Sequence, residues 1–177
     1  RTREADNARR LAQNERLRAD DAQLQTRIAR SDADLASRDA NQALVAASEA
    51  RKRSGNLSRS DQLMVEGLER RLSRDWPRAI EVARTLWRFY PDDLEQGLRL
   101  AQVELEAGES TAALVTVAEL QRLPPPAGED PRIDLVEARA AAALSDFHRQ
   151  LAVAERAATR AELAGSRSIL ARARFEQ

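Results

Sequence analysis

Cysteine is absent from this 177-residue chain, and His148 is its only histidine. Disulfides, thiol nucleophiles, Cys/His zinc sites and Cys/His or Ser/His catalytic arrangements carried by this chain alone are therefore excluded. The sequence also lacks a Gly-rich phosphate loop, a nucleophile elbow and a zinc-binding helix motif. We expect a protein that is not an enzyme and that binds no cofactor and no metal ion.

Aromatic residues, glycine and proline are scarce, with six of each in the whole chain. A sheet protein with many tight turns needs more glycine and proline than this. Alanine is abundant, with 34 residues, and Leu, Arg and Glu supply most of the rest; all four are good helix formers. The composition predicts an all-α protein with a core of Ala and Leu.

Neither sign of charge is in excess, because 29 basic residues, 28 of them Arg, balance 29 acidic residues. This balance argues against nucleic acid or an anionic membrane as the partner. No apolar run approaches the ~18 residues that cross a bilayer, and none resembles the apolar part of a signal peptide. We expect a soluble chain without a membrane segment.

The sequence contains an internal repeat, which a shift of 34 residues reveals. In each copy a small residue, a second small residue and a proline are twelve residues apart: Gly67, Ala79, Pro91, then Ala101, Ala113, Pro125. Small residues let two helices approach closely, and the proline ends the second helix. This spacing resembles that of the tetratricopeptide repeat, and the resemblance implies antiparallel helix pairs stacked as a right-handed α-solenoid.

The repeat divides the chain into predicted helices. A third copy follows at a shift of 37, and the extra length lies in the connection 124–130. The predicted helix pairs are 59–74 with 77–90, 93–107 with 109–123, and 131–145 with 147–164, followed by a helix from about 166. A thinner pattern upstream allows another pair, 22–37 with 39–53. We expect residues 1–56 to be a charged helical segment or degenerate repeat, and 57–177 to be a repeat domain truncated at its C-terminal end.

Local signals at the predicted helix ends agree with this division. Ser58 with Asp61, and Asp92 with Glu95, have the spacing of a capping box. Asp130 and Pro131 are suited to begin a helix, whereas Gly108 and Gly165 are suited to end one.

The N-terminal segment has apolar residues at only some of its heptad core positions. Leu17, Leu24, Ile28 and Leu35 occupy alternating core positions, and Asn14, Asp21 and Ser31 occupy the intervening ones. Such a seam makes a poor two-stranded coiled coil. We interpret the segment as a solvated helix that packs one narrow stripe on the first repeat. The alternative is a dimerising or membrane-proximal stalk helix.

Other conspicuous residues have structural explanations. For Asp92 and Asp93 we expect helix-start charge, for Glu104 and Glu106 solvated helix surface, and for His148 a surface position. Trp87 and Tyr90 share a predicted helix face with Ala83, which indicates core packing. The alternative role for these rings is a hot spot for a partner protein.

In the repeat family, ligand peptides lie in the concave groove that the first helix of each pair lines. Met64 and Leu68 stand where members that clamp a peptide carboxylate have Lys and Asn, so no such clamp is expected. Arg132 and Arg139 remain available for an acidic partner. By position, the groove-facing residues here are Met64, Leu68, Arg71, Leu98, Gln102, Leu105, Arg132, Leu135 and Arg139.

Residues 57–177, from LSRSDQLMVEGLERR onward, also resemble the helical regions attached to bacterial winged-helix regulators and Ser/Thr kinases. The resemblance implies a non-catalytic protein-interaction or sensory module of a bacterial signalling or transcription-regulatory protein, in the cytoplasm or periplasm. Its partner would be a protein or peptide. The alternative is a structural self-association segment, a coiled coil or oligomerisation element of a larger assembly, which allows a homo-oligomer.

Overall fold

The structure, a computed structural model, describes the backbone of residues 2–176 and the side chains of residues 18, 19 and 21–176. Over these residues all regular elements are helical and no strand occurs, which confirms the all-α prediction. None of the described helices is both long and apolar enough to cross a lipid bilayer. The α-helices are α1 (Thr2–Arg53), α2 (Arg59–Leu72), α3 (Trp76–Phe89), α4 (Leu94–Glu106), α5 (Ser110–Leu120), α6 (Pro131–Ala143), α7 (Phe147–Leu163) and α8 (Arg167–Phe175).

Helix α1 is longer than the sequence pattern predicts. One continuous helix occupies the segment in which a pair, 22–37 with 39–53, was expected. The physical reason is that residues 1–53 contain neither proline nor glycine, so nothing in the segment ends a helix.

The chain divides into two compact units, Arg1–Ala46 and Ala47–Gln177. The last turns of α1 belong with the second unit, because Ala47 is buried and Arg51 pairs with two carboxylates of α2. The Arg51 nitrogens lie 3.4 Å from an oxygen of Glu66 and 2.6 Å from one of Glu69.

The bounds of α2–α8 lie within three residues of the predicted ones. As expected, Ser58 caps α2 by accepting the Asp61 amide, and Asp130 caps α6, whose first residue is Pro131. The predicted cap at Asp92 is wrong. Asp93 caps α4 instead. Its carboxylate accepts the backbone N–H groups of Glu95 at 2.9 Å and of Gln96 at 3.4 Å.

The same turn joins the two helices of each pair. A residue with positive φ follows α2, α4 and α6: Arg74 (58°), Gly108 (84°) and Ser145 (61°). In each turn the next N–H donates to a carbonyl five residues earlier, at 2.8–2.9 Å, which is a Schellman bond. These turns are 34 and 37 residues apart, the shifts at which the sequence copies align. Gly165, with φ 66°, makes a similar turn after α7.

The helices of each pair are antiparallel neighbours. In the first pair, the Ser60 Oγ at the start of α2 lies 3.0 Å from the Tyr90 hydroxyl beyond the end of α3. At the opposite end, Arg70 Nη1 lies 2.9 Å from Asp75. Helix α4 packs on α5 and α6 on α7, and each pair contacts the next. Contacts of α4 with α6 and of α6 with α8 also make the even-numbered helices neighbours.

Small residues are buried at contacts between the helices, and Ala79, Ala101 and Ala113 of the repeat are among them. Ala101 and Ala113 are fully buried, and a Cβ at Gly97 would overlap Leu120 and lie 2.9 Å from Trp87. The main core cluster lies among α3–α6 and consists of Ala83, Trp87, Leu98, Leu100, Ala101, Val117, Leu120, Ile133 and Val136.

The two aromatic residues predicted to share the core separate in the structure. Trp87 is buried, and its Nε1–H donates to Glu119 of α5 at 3.2 Å. Tyr90 is 44% exposed, so the core prediction is wrong for this residue. The reason is that α3 ends at Phe89, and the non-helical backbone of Tyr90 (φ −134°, ψ 66°) no longer continues the helix face.

We predict that Ala113→Leu destabilises the protein by about 1–3 kcal/mol, because a larger side chain must be forced into a closed contact between helices. Ala118→Leu, an exposed position of the same helix, is the matched control and should change stability by no more than about 0.5 kcal/mol. Urea unfolding followed by circular dichroism measures both. Equal stability of the two variants would contradict the close packing of α5.

Candidate functional site

Eight of the nine residues predicted to face a groove line two adjacent clefts of the second unit. The first cleft, of about 280 Å³, is lined from the predicted set by Met64, Leu68, Arg71, Leu98, Gln102 and Arg132. The second, of about 560 Å³, is lined from that set by Gln102, Arg132, Leu135 and Arg139. The clefts share Gln102 and Arg132 in their lining, and together they are here called the groove. Residues of α2, α3, α4, α6 and α8 line it.

The ninth residue, Leu105, lines neither cleft. It packs partly buried against the main core cluster instead. Within the groove, Leu98 and Leu135 are buried and form an apolar floor. Met64 is half-buried and Leu68 is exposed, so apolar surface remains open to solvent at the α2 side.

Two arginines of the groove are engaged by acidic side chains of the same unit. Arg71 of α2 donates from Nε and one Nη to the two carboxylate oxygens of Glu106 on α4, both at 2.6 Å. Arg132 of α6 lies 2.7 Å from Glu95 of α4 and 2.9 Å from Asp130. These ion pairs join the even-numbered helices along the groove wall.

The Arg132 contacts shift the pKa values of its neighbourhood. Burial alone would raise the pKa of Asp130, but the side-chain and backbone hydrogen bonds from Arg132 lower it below the usual range. The same side-chain hydrogen bond raises the pKa of Arg132 well above its ordinary value. Arg132 therefore stays cationic, and its guanidinium group is already paired with carboxylates of the same unit.

Three further arginines line the groove without an ion pair to any described residue. Arg99 of α4 lines the first cleft, and Arg139 of α6 and Arg172 of α8 line the second. All three are exposed. Of them, only Arg139 is predicted from the sequence. Arg99 and Arg172 were missed, together with Phe175, a highly exposed aromatic residue that lines the second cleft.

A signal for part of this surface is present in the sequence. Residues 166–177 follow the pattern of a first helix, and the resemblance to the repeat family implies that first helices line the groove. The rule that selects α2, α4 and α6 therefore also predicts a contribution from α8. Arg99 has no comparable signal, because it directly follows Leu98, and only the rotation of α4 in the folded unit places both side chains at the cleft.

A group of buried charges lies beneath the groove, between α6 and α7. Asp134 and Glu137 of α6 are buried, with Asp134 fully inaccessible. Arg156 donates to both carboxylates at 2.8 Å, Arg160 donates to Asp134 at 2.9 Å, and Arg149 donates to Glu137 at 2.7 Å. Gln121 adds a hydrogen bond to Glu137 at 2.8 Å. This α6–α7 charge network satisfies all four carboxylate oxygens.

The network also shifts the pKa values of Glu137 and Arg156. Burial by itself would raise the pKa of Glu137, but hydrogen bonds from Arg149 and Gln121 and the charges of Arg149 and Arg156 lower it below the ordinary value. The hydrogen bond to Asp134 raises the pKa of Arg156. The carboxylate of Glu137 is thus held ionised by its partners, which is a structural arrangement rather than that of a proton-transfer site.

Glu104 is also buried, only 2% exposed, so the expectation of a solvated position for this residue is wrong. Its carboxylate accepts from the Thr116 hydroxyl of α5 at 2.7 Å and from Arg84 of α3 at 3.2 Å. It therefore joins three helices. A sequence pattern cannot distinguish such a residue from a surface glutamate, since its partners lie 12 and 20 residues away.

His148 lies exposed in the first turn of α7, next to the capping residue Asp146. Among the side chains that the structure describes, no three acidic or histidine residues are grouped to hold a metal ion. In comparisons with known proteins, no protein-family model, curated protein or solved structure matches this chain.

We predict that Arg156→Met destabilises the protein by about 1–3 kcal/mol, because it leaves the buried Asp134 Oδ1 without a donor and removes a cation from beside Glu137. The matched control is Arg122→Met, at an exposed arginine with no ion pair to any described residue, which should change stability by no more than about 0.5 kcal/mol. Urea unfolding at pH 7 provides the measurement. Two equal free energies of unfolding would show that the network contributes nothing.

We predict that stability falls on acidification below about pH 4. Asp130 and Glu137 have lower pKa values folded than in an unfolded chain, where they are about 3.9 and 4.3. The unfolded chain therefore binds more protons as the pH falls, so the stability present above these unfolded values is lost as the pH drops through the folded ones. The free energy of unfolding, measured in urea between pH 7 and pH 3, gives this profile.

The variant Glu137→Gln should be less stable at pH 7 and show a smaller loss on acidification. Glu155→Gln, at an exposed glutamate of α7 without an ion pair to the described residues, should keep the profile of the original chain. A free energy of unfolding that stays constant from pH 5 to pH 3 is the result that would contradict the prediction.

Proposed function

We propose that this chain is a non-catalytic protein-interaction module with a tetratricopeptide-like stack of helix pairs, and that its groove binds a peptide segment of a partner protein. The segment combines acidic residues, which the free arginines of the groove attract, with apolar residues that cover its floor. This function needs no residue arranged for proton transfer or nucleophilic attack.

The recurrence of the turns supports the tetratricopeptide-like arrangement. Left-handed residues at the same place in three pairs, at intervals of 34 and 37 residues, are what a repeated helix–turn–helix unit predicts. The contacts of α4 with α6 and of α6 with α8 also support this arrangement, because stacked pairs bring their first helices together on one face.

The observation that carries the proposal is the charge of the groove lining. Five arginines and two glutamates line the two clefts. Intramolecular carboxylates engage Arg71 and Arg132, which leaves Arg99, Arg139 and Arg172 as exposed donors around an apolar floor. Guanidinium groups suit carboxylates because each offers two parallel N–H bonds. An acidic peptide is therefore the ligand that this surface favours.

The setting that we propose for this interaction is bacterial signalling or transcriptional regulation. Its support is the resemblance of residues 57–177 to helical regions attached to bacterial winged-helix regulators and Ser/Thr kinases. In such a setting the module would recruit or sense a protein partner, and its output would depend on which partner the groove holds.

Structural self-association is the second candidate function, and a different observation favours it. Leu24, Ile28 and Leu35 of α1 are 53%, 47% and 54% exposed. These side chains recur at core positions of a heptad pattern on a helix of 52 residues. A second helix could cover them.

We predict that peptides selected from a random phage-displayed library against the full chain combine Asp or Glu with Leu, Ile or Phe. The double variant Arg99→Glu/Arg139→Glu should weaken binding of a selected peptide by about tenfold or more, because it places like charges against the ligand. Fluorescence anisotropy with a labelled peptide measures the dissociation constant.

Arg122→Glu is the control, a charge reversal of the same kind at one exposed arginine outside the groove, and should leave the dissociation constant within about twofold. Selected peptides without acidic residues, or an equal loss of affinity in the control, would contradict the proposal.

A further inference from the structure

A stretch of heptad core positions, here called the α1 seam, runs along residues 21–38 of α1. Its residues alternate at intervals of three and four: Asp21, Leu24, Ile28, Ser31, Leu35 and Arg38. All six side chains are exposed. The apolar members lie between the two ends of the seam. Its first residue, Asp21, is acidic, and its last residue, Arg38, is basic. Because the charges at its two ends are opposite, the α1 seam pairs differently with a parallel and with an antiparallel second copy.

A parallel, in-register pair of α1 helices places each residue opposite itself. Asp21 would then face Asp21 of the second copy, and Arg38 would face Arg38. Beside the seam, Arg27 would attract Asp32, but Asp34 would repel Asp39. Two like-charged layers within the seam make the parallel arrangement unfavourable.

An antiparallel pair of α1 helices can be centred between residues 29 and 30, so that the residue numbers of each facing pair add to 59. Leu24 then faces Leu35 of the second copy, Ile28 faces Ser31, and Asp21 faces Arg38. By symmetry each of these layers occurs twice. The two Ile28–Ser31 layers are central, the two Leu24–Leu35 layers flank them, and an Asp21–Arg38 ion pair lies at each end of the seam.

The charges beside the seam agree with the same antiparallel register. On one side Arg27 meets Asp34 of the second copy, and on the other side Arg18 meets Asp39. Gln25 meets Asp32, so no like charges face each other among these pairs. None of the charged residues 18, 21, 27, 34, 38 and 39 forms an ion pair with a described residue of its own chain. They are available to a second copy.

Neighbouring antiparallel registers lose this complementarity. A shift of one heptad in one direction places Arg27 opposite Arg27 of the second copy. A shift in the other direction places Asp32 opposite Asp32 and Asp34 opposite Asp34. The register centred between Ala29 and Arg30 is thus favoured over both, because like charges held face to face oppose association.

We infer that α1 pairs with α1 of a second copy of this chain as an antiparallel coiled coil, with its two-fold axis between Ala29 and Arg30. In a parallel pair each polar seam residue faces its own copy, which makes a poor coiled coil. In the antiparallel pair Asp21 faces Arg38 instead, so the charges are complementary. The inference rests on the second candidate function, self-association, and is independent of peptide binding by the groove.

The first experiment measures dimer affinity of the full chain by sedimentation equilibrium. Asp21→Arg should weaken the dimer by about tenfold or more, because the introduced arginine would face Arg38 in two layers, and the double variant Asp21→Arg/Arg38→Asp should restore it. In a parallel dimer, Asp21→Arg replaces a layer of two facing aspartates by a layer of two facing arginines, so the affinity should change little. Arg30→Asp, a charge reversal outside the seam on the same helix, is the control for the substitution of Arg38 in the double variant. It should leave the affinity within about twofold.

The second experiment measures orientation with spin labels, one per chain, since the sequence has no cysteine of its own. Ala19→Cys and Ala33→Cys place labels at equivalent heptad positions away from the seam. In the inferred dimer the paired Cα positions are separated along the helix axis by about 32 Å at residue 19 and about 11 Å at residue 33. A parallel dimer gives the same short distance for both labels.

The outcomes separate this inference from self-association in general. A chain that stays monomeric at all concentrations overturns both. A dimer that tolerates Asp21→Arg, gives equal label distances at the two positions, or dissociates on labelling of Ala19 leaves self-association standing and overturns the antiparallel seam. Circular dichroism of each variant checks that helix content is unchanged.

Discussion

Helix α6 is buried along almost its whole length, and it carries two carboxylates in its middle. Buried carboxylates are tolerated only when they are paired and hydrogen-bonded, so α6 can occupy this position only with the arginines of α7 against it. Asp134 and Glu137 thus determine how α7 packs on α6. The same helix contributes Leu135 and Val136 to the groove, where α6 also contacts α4 and α8. The groove therefore depends on the α6–α7 charge network beneath it.

This dependence gives a physical reason for a composition with 28 arginines and one lysine. A guanidinium group can donate to two carboxylate oxygens in a fixed geometry, and Arg156 bridges Asp134 and Glu137 in this way, as Arg71 spans both oxygens of Glu106. Lysine, a compact point charge, cannot form such bridges as well. Arginines without an intramolecular partner then become the residues that a ligand can meet, and in the groove these are Arg99, Arg139 and Arg172.

The two units offer surfaces of different chemistry. In the second unit the groove combines an apolar floor with free cations, which suits an acidic peptide. In the first unit the α1 seam combines a short apolar centre with opposite charges at its ends, which suits a second copy of itself. Each surface can be tested without the other, because the residues that define them belong to different units.

The sequence by itself determined the all-α class, the bounds of α2–α8, buried small residues such as Ala113, and eight of the residues that line the groove. These features depend on local propensity, capping and a repeated spacing, all of which can be read along the chain. Only the tertiary structure decided that α1 continues as one helix, that Leu105 and Glu104 turn inward, and that Arg132 is engaged while Arg99 is free. The reason is that burial and ion pairing depend on residues distant in sequence, such as Arg84 and Thr116 around Glu104, whose approach no local pattern records.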